Sequence, residues 1–432
     1  MNVIVQSGDT FNTLIVRNGG DITATDTADA FFVRGVSQLD ATGSHMVSLE
    51  NAQITVTAPN ALVRGIEQNS FTGSNSVQFG ENGRISVLGG ALTEGVGQST
   101  TNGDNLIEAE AALQVTVNAT GDGNGITQNL VAGGTGNSTA EIASGTQIDV
   151  IAQGRARGVF QLNLGSGNST TIFGSGVQIS ANGALDGLGV FQSHLLTGTG
   201  DSYIEFGSGA QIDVTSPGDA FGTQQFHITS GNNTTVFGSE TQINVTSTGS
   251  NAFGVSQQTS GLSNNSFTLG ANSRIGVNSA LDGTGFQQTA GAGNNEATIG
   301  VNSHINVMAS GTATGIFSAT TSTSSFLHID RGVQISAIGD TAFGALVVAD
   351  NFELLNRGRI VATSTGVSPV SFGVLLDGDN NNFENHGSVF ADLAPDSHAI
   401  LMMVTTTCCR CSPILSFRAD HIRQWRRSFR EW

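Results

Sequence analysis

The chain has 432 residues and a formal net charge of −18; only 12% of its residues are charged, and every basic residue is Arg. A net anion of this size excludes nucleic acid and anionic membrane surfaces as natural partners, because both repel it. No apolar run approaches the roughly 20 residues of a membrane-spanning helix, and a chain so poor in Lys and Glu lacks the usual formers of surface helices.

The N-terminus, MNVIVQSGDTFNTLIV, has no basic segment leading into an apolar one. As written, the chain is expected to carry no signal peptide. Asn2 to Gln6 already read like a strand of a repeat that is under way.

That repeat then dominates the chain. The central apolar residue of a Q-I-x-V segment falls at Ile22, Ile54, Ile85, Val115, Ile148, Ile179, Ile212, Ile243, Ile275, Ile305, Ile335 and Ile360, a mean spacing of about 31 residues, and Val389 continues the series. A second marker, the Gly of a G-V-x-Q segment, keeps the same period from Gly35 through Gly158 and Gly254 to Gly373. Two markers with one period identify a solenoid, which grows along one axis as a single unit.

Each unit holds three apolar segments, as in FGSGAQIDVTSPGDAFGTQQFHITSGNNTTVF at 206–237. The first is I-x-V, whose alternation puts Ile212 and Val214 on one face and Asp213 on the other. The second is G-V-x-Q. The third ends in an apolar residue six before the first marker: Phe79, Ile142, Phe173, Phe206, Phe237, Leu269, Ile299, Ile329 and Leu354. Gly, Asn, Asp and Ser clusters, the residues turns require, separate the segments. Val, Ile and Phe suit strands, so the fold class is all-β: a parallel β-helix of about 12–13 coils with three short strands per coil. Coils about 4.8 Å apart make a rod of about 60 Å. A right-handed winding is expected, because the left-handed hexapeptide pattern is absent.

Within the second segment, Gln recurs at Gln38, Gln68, Gln98, Gln128, Gln161, Gln192, Gln225, Gln257 and Gln288, with Val347 and Leu376 at the corresponding later positions. Period-two alternation places these Gln inward with the apolar column. A buried amide is costly unless satisfied, and a stack of amides satisfies itself. The expectation is an internal Gln ladder; an exposed polar column is the alternative. Phe173, Phe206 and Phe237 share one position in consecutive coils and are expected to stack within the core.

Outward positions carry the candidates for recognition. One strip runs through Gln53, Arg84, Gln114, Gln147, Gln178, Gln211, Gln242, Arg274, His304, Gln334 and Arg359, beside Thr55, Ser86, Thr116, Asp149, Ser180, Asp213 and Asn244. It suits glycan or protein contact, or merely solubility. Phe160, Phe191 and Phe317, expected outward in the second segment, form a better contact patch. Asp149 and Asp213 are the carboxylates weighed for acid–base chemistry, but Ser180 separates them by one coil and an exposed polar face is preferred. Asp377-Gly378-Asp379-Asn380 resembles a fragment of a calcium loop without its remaining ligands, so a solvated turn is preferred there too.

The composition changes near the C-terminus. Residues 1–404 form the repeat domain, with Ala399-Ile400 where Gly-Val is expected. Residues 405–432 hold all three cysteines, both Trp and six of the sixteen Arg. This tail is expected to be a frameshifted or foreign segment, a basic cap or a short helix. Cys408, Cys409 and Cys411 with His421 do not have the C-x₂₋₄-C spacing of a zinc site. No cofactor and no metal is expected.

The segment NRGRIVATSTG…SFGVLLDGDNNNFENHGSVFAD at 356–392 resembles the repeats of bacterial autotransporter passenger domains and related surface adhesins, and residues 1–400 are similar in kind. The resemblance implies a right-handed β-helix at the surface of, or secreted from, a Gram-negative cell. There it would engage a host-surface protein or glycan, or associate with itself. It also implies a membrane attachment only through a C-terminal β-barrel; with neither barrel nor signal peptide in the sequence, the chain is expected to be a fragment. No functional residues carry over, because the shared motifs are structural. The expectation is therefore a non-enzymatic adhesin-like solenoid, with a polysaccharide-acting β-helix enzyme or a purely structural stalk as alternatives.

Overall fold

The computed structural model describes residues 2–6, 11–17, 19–26, 31–195, 199–322, 324–366, 369–392, 396–403 and 408–411. These residues form strands and turns, with no helix among them. The strands lie in three parallel sheets of 14, 14 and 13 strands. Sheet A begins with Asn2–Gln6 and Phe32–Asp40 and ends with His398–Met403; sheet B runs from Asn12–Val16 to Cys408–Cys411; sheet C runs from Asp21–Thr25 to Ser388–Ala391. The chain visits A, B and C in turn and then repeats, so each strand pairs with the strand three further along. The molecule is a β-solenoid with coils of about 31 residues. Cys408–Cys411 adds a last strand to sheet B by pairing with Asn382–Asn385; residues 412–432 lie outside the described residues.

Register follows the repeat. Ile148, Ile179, Ile212 and Ile243 are direct partners in sheet C, and Ile4, Val36 and Ile66 are partners in sheet A. Ile400 pairs with Val374, so Ala399-Ile400 occupies the Gly-Val position. A slip of one residue would turn the apolar columns outward, and the core would be lost with it. That core is one cluster running the length of the rod, from Ile22 to Val389.

The turns close the coils by two devices. Between sheets B and C, one residue adopts a left-handed backbone in most coils: Gly19, Asn51, Asn82, Gly145, Gly176, Gly209, Glu240, Asn272, Asn302 and Gly332. Gly and Asn accept that conformation most readily; Glu240, at φ 62°, does not. Between sheets A and B, Asn and Asp side chains stack. The backbone N–H of Asn137 donates to Asp104 Oδ1, that of Asn168 to Asn137 Oδ1 and that of Asp201 to Asn168 Oδ1, each at 2.8–2.9 Å. Each turn thus caps the next.

One position departs from the expected column. Leu354 pairs with Leu327, and Asn356 is the partner of Ile329. The link from Asn356 to the sheet C strand Arg359–Ser364 is shorter than that of the preceding coil, from Ile329 to Gln334, so counting back six residues overshoots. Asn356 stays satisfied at this inward position: its Nδ2 donates to Asn385 Oδ1 at 2.7 Å, and its Oδ1 accepts from Gly358 N.

Candidate functional site: a groove along sheet A

The inner face of sheet A carries the glutamines. Gln68 Nε2 donates to Gln38 Oε1 at 2.7 Å, Gln98 to Gln68 at 2.8 Å, Gln128 to Gln98 at 2.9 Å and Gln161 to Gln128 at 2.7 Å. The chain of bonds continues through Gln192, Gln225 and Gln257 to Gln288, and begins at Gln6, whose Oε1 accepts from Gln38. The other N–H of each amide reaches a carbonyl of sheet B, as from Gln98 to Leu106 O and from Gln257 to Ser266 O, both at 2.9 Å. Both donors of the buried amide are therefore used, and the corner between sheets A and B is pinned in every coil. Ser318, Val347 and Leu376 follow Gln288 in the same column.

Phe173 and Phe206 stack at 4.3 Å between ring centroids, and Phe206 and Phe237 at 5.1 Å. All three are buried. The aromatic run continues into neighbouring columns, with Phe267 edge-on to Phe237 and stacked on Phe286. A second interior stack was not visible in the residue pattern. The rings of His194 and His227 lie 4.3 Å apart, fully buried, with hydrogen bonds between their Nε2 atoms and Ser169 Oγ and Ser202 Oγ. Burial, together with the neighbouring His227, lowers the pKa of His194 to about 3, and burial lowers that of His227 to about 4. Both are neutral structural groups near pH 7.

The outer face of sheet A is not flat. Each strand bends at the marker Gly, which presses the backbone against sheet C. A β-carbon on Gly158 would lie 2.5 Å from both Gly189 O and Ile179 Cγ2, and one on Gly254 2.4 Å from both Gly285 O and Ile275 Cγ2. Bending inward at Gly makes the outside concave. The residue one before the Gly and the residue two after it lean together across the bend. Arg64 bonds Glu67 in this way, and Arg157 Cζ lies 4.9 Å over the ring of Phe160. Outward residues are consequently enclosed with no layer above them: Glu67 is 2% exposed and Asn124 3%.

The groove changes character along the rod. At one end, Arg34 and Arg64 both bind Glu67, and Arg64 Nε reaches Glu94 Oε2 at 2.5 Å. Asn124 Nδ2 donates to Glu94 Oε1, and Arg157 Nη1 donates to Asn124 Oδ1, each at 3.2 Å. Burial opposes the charge of Arg64, but Glu94 and Glu67 outweigh it and raise its pKa. Among the described residues no carboxylate contacts Arg157; burial lowers its pKa, with a partial offset from the more distant Asp122. Beyond Arg157 the groove is aromatic. Phe160 stacks on Phe191 at 5.5 Å and Phe221 on Phe253 at 4.8 Å, all half-buried. Phe343 and Phe372 stack further along, in the same column as Phe221 and Phe253, at 5.4 Å.

Phe160, Phe191 and Phe317 do face outward, in one column of this groove. Their facing column, Arg34, Arg64, Glu94, Asn124, Arg157, Leu188, Phe221 and Phe253, was missed, although it is the residue before each marker Gly. The polar strip on sheet C is exposed or half-exposed throughout. Asp149 and Asp213 stand in one column with Ser180 between them. Burial raises the pKa of Asp149, while Asp213 accepts from Gln211 and Asn244. In the Asp377–Asn380 segment, Asp377 ends a sheet A strand and Gly378–Asn380 turn, with Asp379 N donating to Asp350 Oδ1. Among the described residues no three His, Cys, Asp or Glu side chains converge as metal ligands. His421 and the side chains of Cys408, Cys409 and Cys411 lie outside the described residues. A depression of about 720 Å³ over the turns from sheet C to sheet A offers only Asp122 as a charged group.

No protein-family model matches the chain, and no curated protein and no solved structure is significantly similar to it.

Proposed function

We propose that this chain is a non-enzymatic, surface-displayed or secreted solenoid of the autotransporter-passenger type, working by adhesion or self-association through the groove of sheet A. The observation that carries the reading is the row of half-exposed Phe rings, Phe160 to Phe253, stacked in pairs along a concave face of the rod. Contiguous apolar surface held open on a soluble scaffold is a mark of contact sites. The repeat wording at 356–392 supports the passenger assignment, and the absence of Cys from residues 1–404 fits export without disulfides.

An enzymatic reading finds one specific support, because Glu67 and Glu94 lie with Arg34 and Arg64 on one face. Against it, both carboxylates are already engaged by guanidinium groups. A single experiment separates the readings: immobilised chain is exposed to a glycan array and to host-cell surfaces, with polysaccharide cleavage followed in parallel. Retention without cleavage, lost in Phe221→Arg, supports the contact function. Cleavage lost in Glu94→Gln supports the enzyme, and neither result supports a stalk.

A further inference from the structure

Arg157 stands apart from the other arginines of the groove. Arg34 and Arg64 are each paired with a carboxylate. Among the described residues Arg157 donates only to the amide oxygen of Asn124, and it lies over Phe160 with its guanidinium partly withdrawn from water. Thr127, the strand partner of Phe160 in the adjacent coil, is 2% exposed, and among the described residues its hydroxyl has no hydrogen-bond partner. A desolvated, unpaired cation is an expensive arrangement, and the planar guanidinium fork fits a carboxylate at two points. The position also marks a junction: charged and amide side chains lie on one side of it, stacked Phe rings on the other.

We propose that the groove of sheet A binds an acidic oligosaccharide, with one carboxylated sugar at Arg157 and its neutral neighbours lying along Phe191, Phe221 and Phe253. The proposal rests on sheet A being the contact face. Three features select this occupant. First, the carboxylate supplies the charge that Arg157 lacks. Second, the backbone groups of sheet A are spent on the neighbouring coils, so an extended peptide finds no strand edge to pair with. A sugar needs only side-chain partners and apolar ring edges, and Gln224, Thr284 and Gln287 stand in the same groove for its hydroxyls. Third, one coil advances by about 4.8 Å, close to the advance of one hexose in an extended chain, so successive sugars meet successive coils. The net charge of −18 repels a dense polyanion. The fitting ligand therefore carries isolated carboxylates separated by neutral sugars.

The test is an array of uronate- and sialate-containing oligosaccharides, each beside its carboxyl-reduced form, probed with the full chain. Hits are then titrated calorimetrically. The acidic form is expected to bind at least about tenfold more tightly than its reduced partner, the scale of a hydrogen bond to a charged group. Arg157→Gln should erase that difference while leaving the weak affinity for the reduced form, and Arg157→Lys should retain part of it. Unchanged circular dichroism and melting of Arg157→Gln establish that the fold is intact. Equal binding of the two forms, or an Arg157→Gln variant with undiminished preference, overturns the proposal and leaves the contact face standing. Binding of an acidic peptide but of no oligosaccharide does the same. If no glycan and no cell surface is retained by the chain, both readings fall.

Discussion

Gln192 Nε2 donates to Gln161 Oε1 at 2.7 Å, one coil and 31 residues away. Gln161 passes the bond on to Gln128 and gives its second N–H to Thr170 O. Replacing Gln161 by Leu keeps the volume but takes the donor from Gln128 Oε1 on one side and the acceptor from Gln192 Nε2 on the other. Gln161→Leu is expected to lower stability by about 3 kcal/mol, given about 1–3 kcal/mol for each buried group left unmade. Val347→Gln should also destabilise, because Ser318 and Leu376 flank it and no ladder receives the amide. Urea denaturation followed by circular dichroism measures both.

The marker glycines are required for space. Gly158→Ala would place a methyl carbon 2.5 Å from Gly189 O and Ile179 Cγ2. Overpacking of this kind costs about 1–3 kcal/mol, and here the obstruction includes backbone. At Gly176, where a β-carbon meets nothing within 4 Å but φ is +66°, the cost is conformational and about 1–2 kcal/mol. Thermal melts of the two Ala variants should rank them in that order.

Glu240 holds a left-handed backbone at a turn where other coils use Gly or Asn. Glu240→Gly or Glu240→Asn should stabilise the chain by up to about 1 kcal/mol by removing that strain. A raised melting temperature is the expected reading.

The His194–His227 stack makes the rod acid-sensitive. Their folded pKa values, about 3 and about 4, lie below the ordinary 6.5. Below pH 6.5 the unfolded chain takes up protons that the folded chain refuses, so stability falls as pH drops. Each His removes up to about 1.4 kcal/mol per pH unit between the two values. Melts from pH 7.5 to 4.5 should show this limb. The double variant His194→Asn, His227→Thr, which borrows the residues that Asn163 and Thr259 supply in the same column, should flatten it.

Glu67 is shared by two arginines in the enclosed groove. Glu67→Gln leaves Arg34 and Arg64 short of a countercharge, and breaking a buried pair from one side costs about 3–5 kcal/mol. Arg34 and Arg64 keep some exposure, which places the expected loss near the lower end. Denaturation midpoints of Glu67→Gln against Glu108→Gln, a control on sheet B, measure the difference.

The solenoid was legible in the residues because every coil repeats the same packing problem. Ile212 must stack on Ile179 and Ile243, so the period is written in the chain, and alternation then places Gln161 and Phe206 inside. Asn2–Gln6 could be assigned to sheet A by the same reasoning. The rule fails where a coil changes length: Leu354 was displaced from its column because the following turn is shorter, and local spacing carries no notice of that.

What the sequence by itself determined is the set of columns, since in-register parallel pairing makes each residue the neighbour of its counterpart about 31 positions on. Only the tertiary structure decided how columns within one strand meet. In a straight strand Arg157 and Phe160, three residues apart, would face opposite sides; they share the outer face because the alternation breaks at Gly158, which is buried together with Val159. They touch because the backbone at Gly158 is driven against Ile179, and that contact joins residues of two different sheets. The groove, the enclosure of Glu67 and the exposed role of Arg157 all follow from the bend, which no single column encodes.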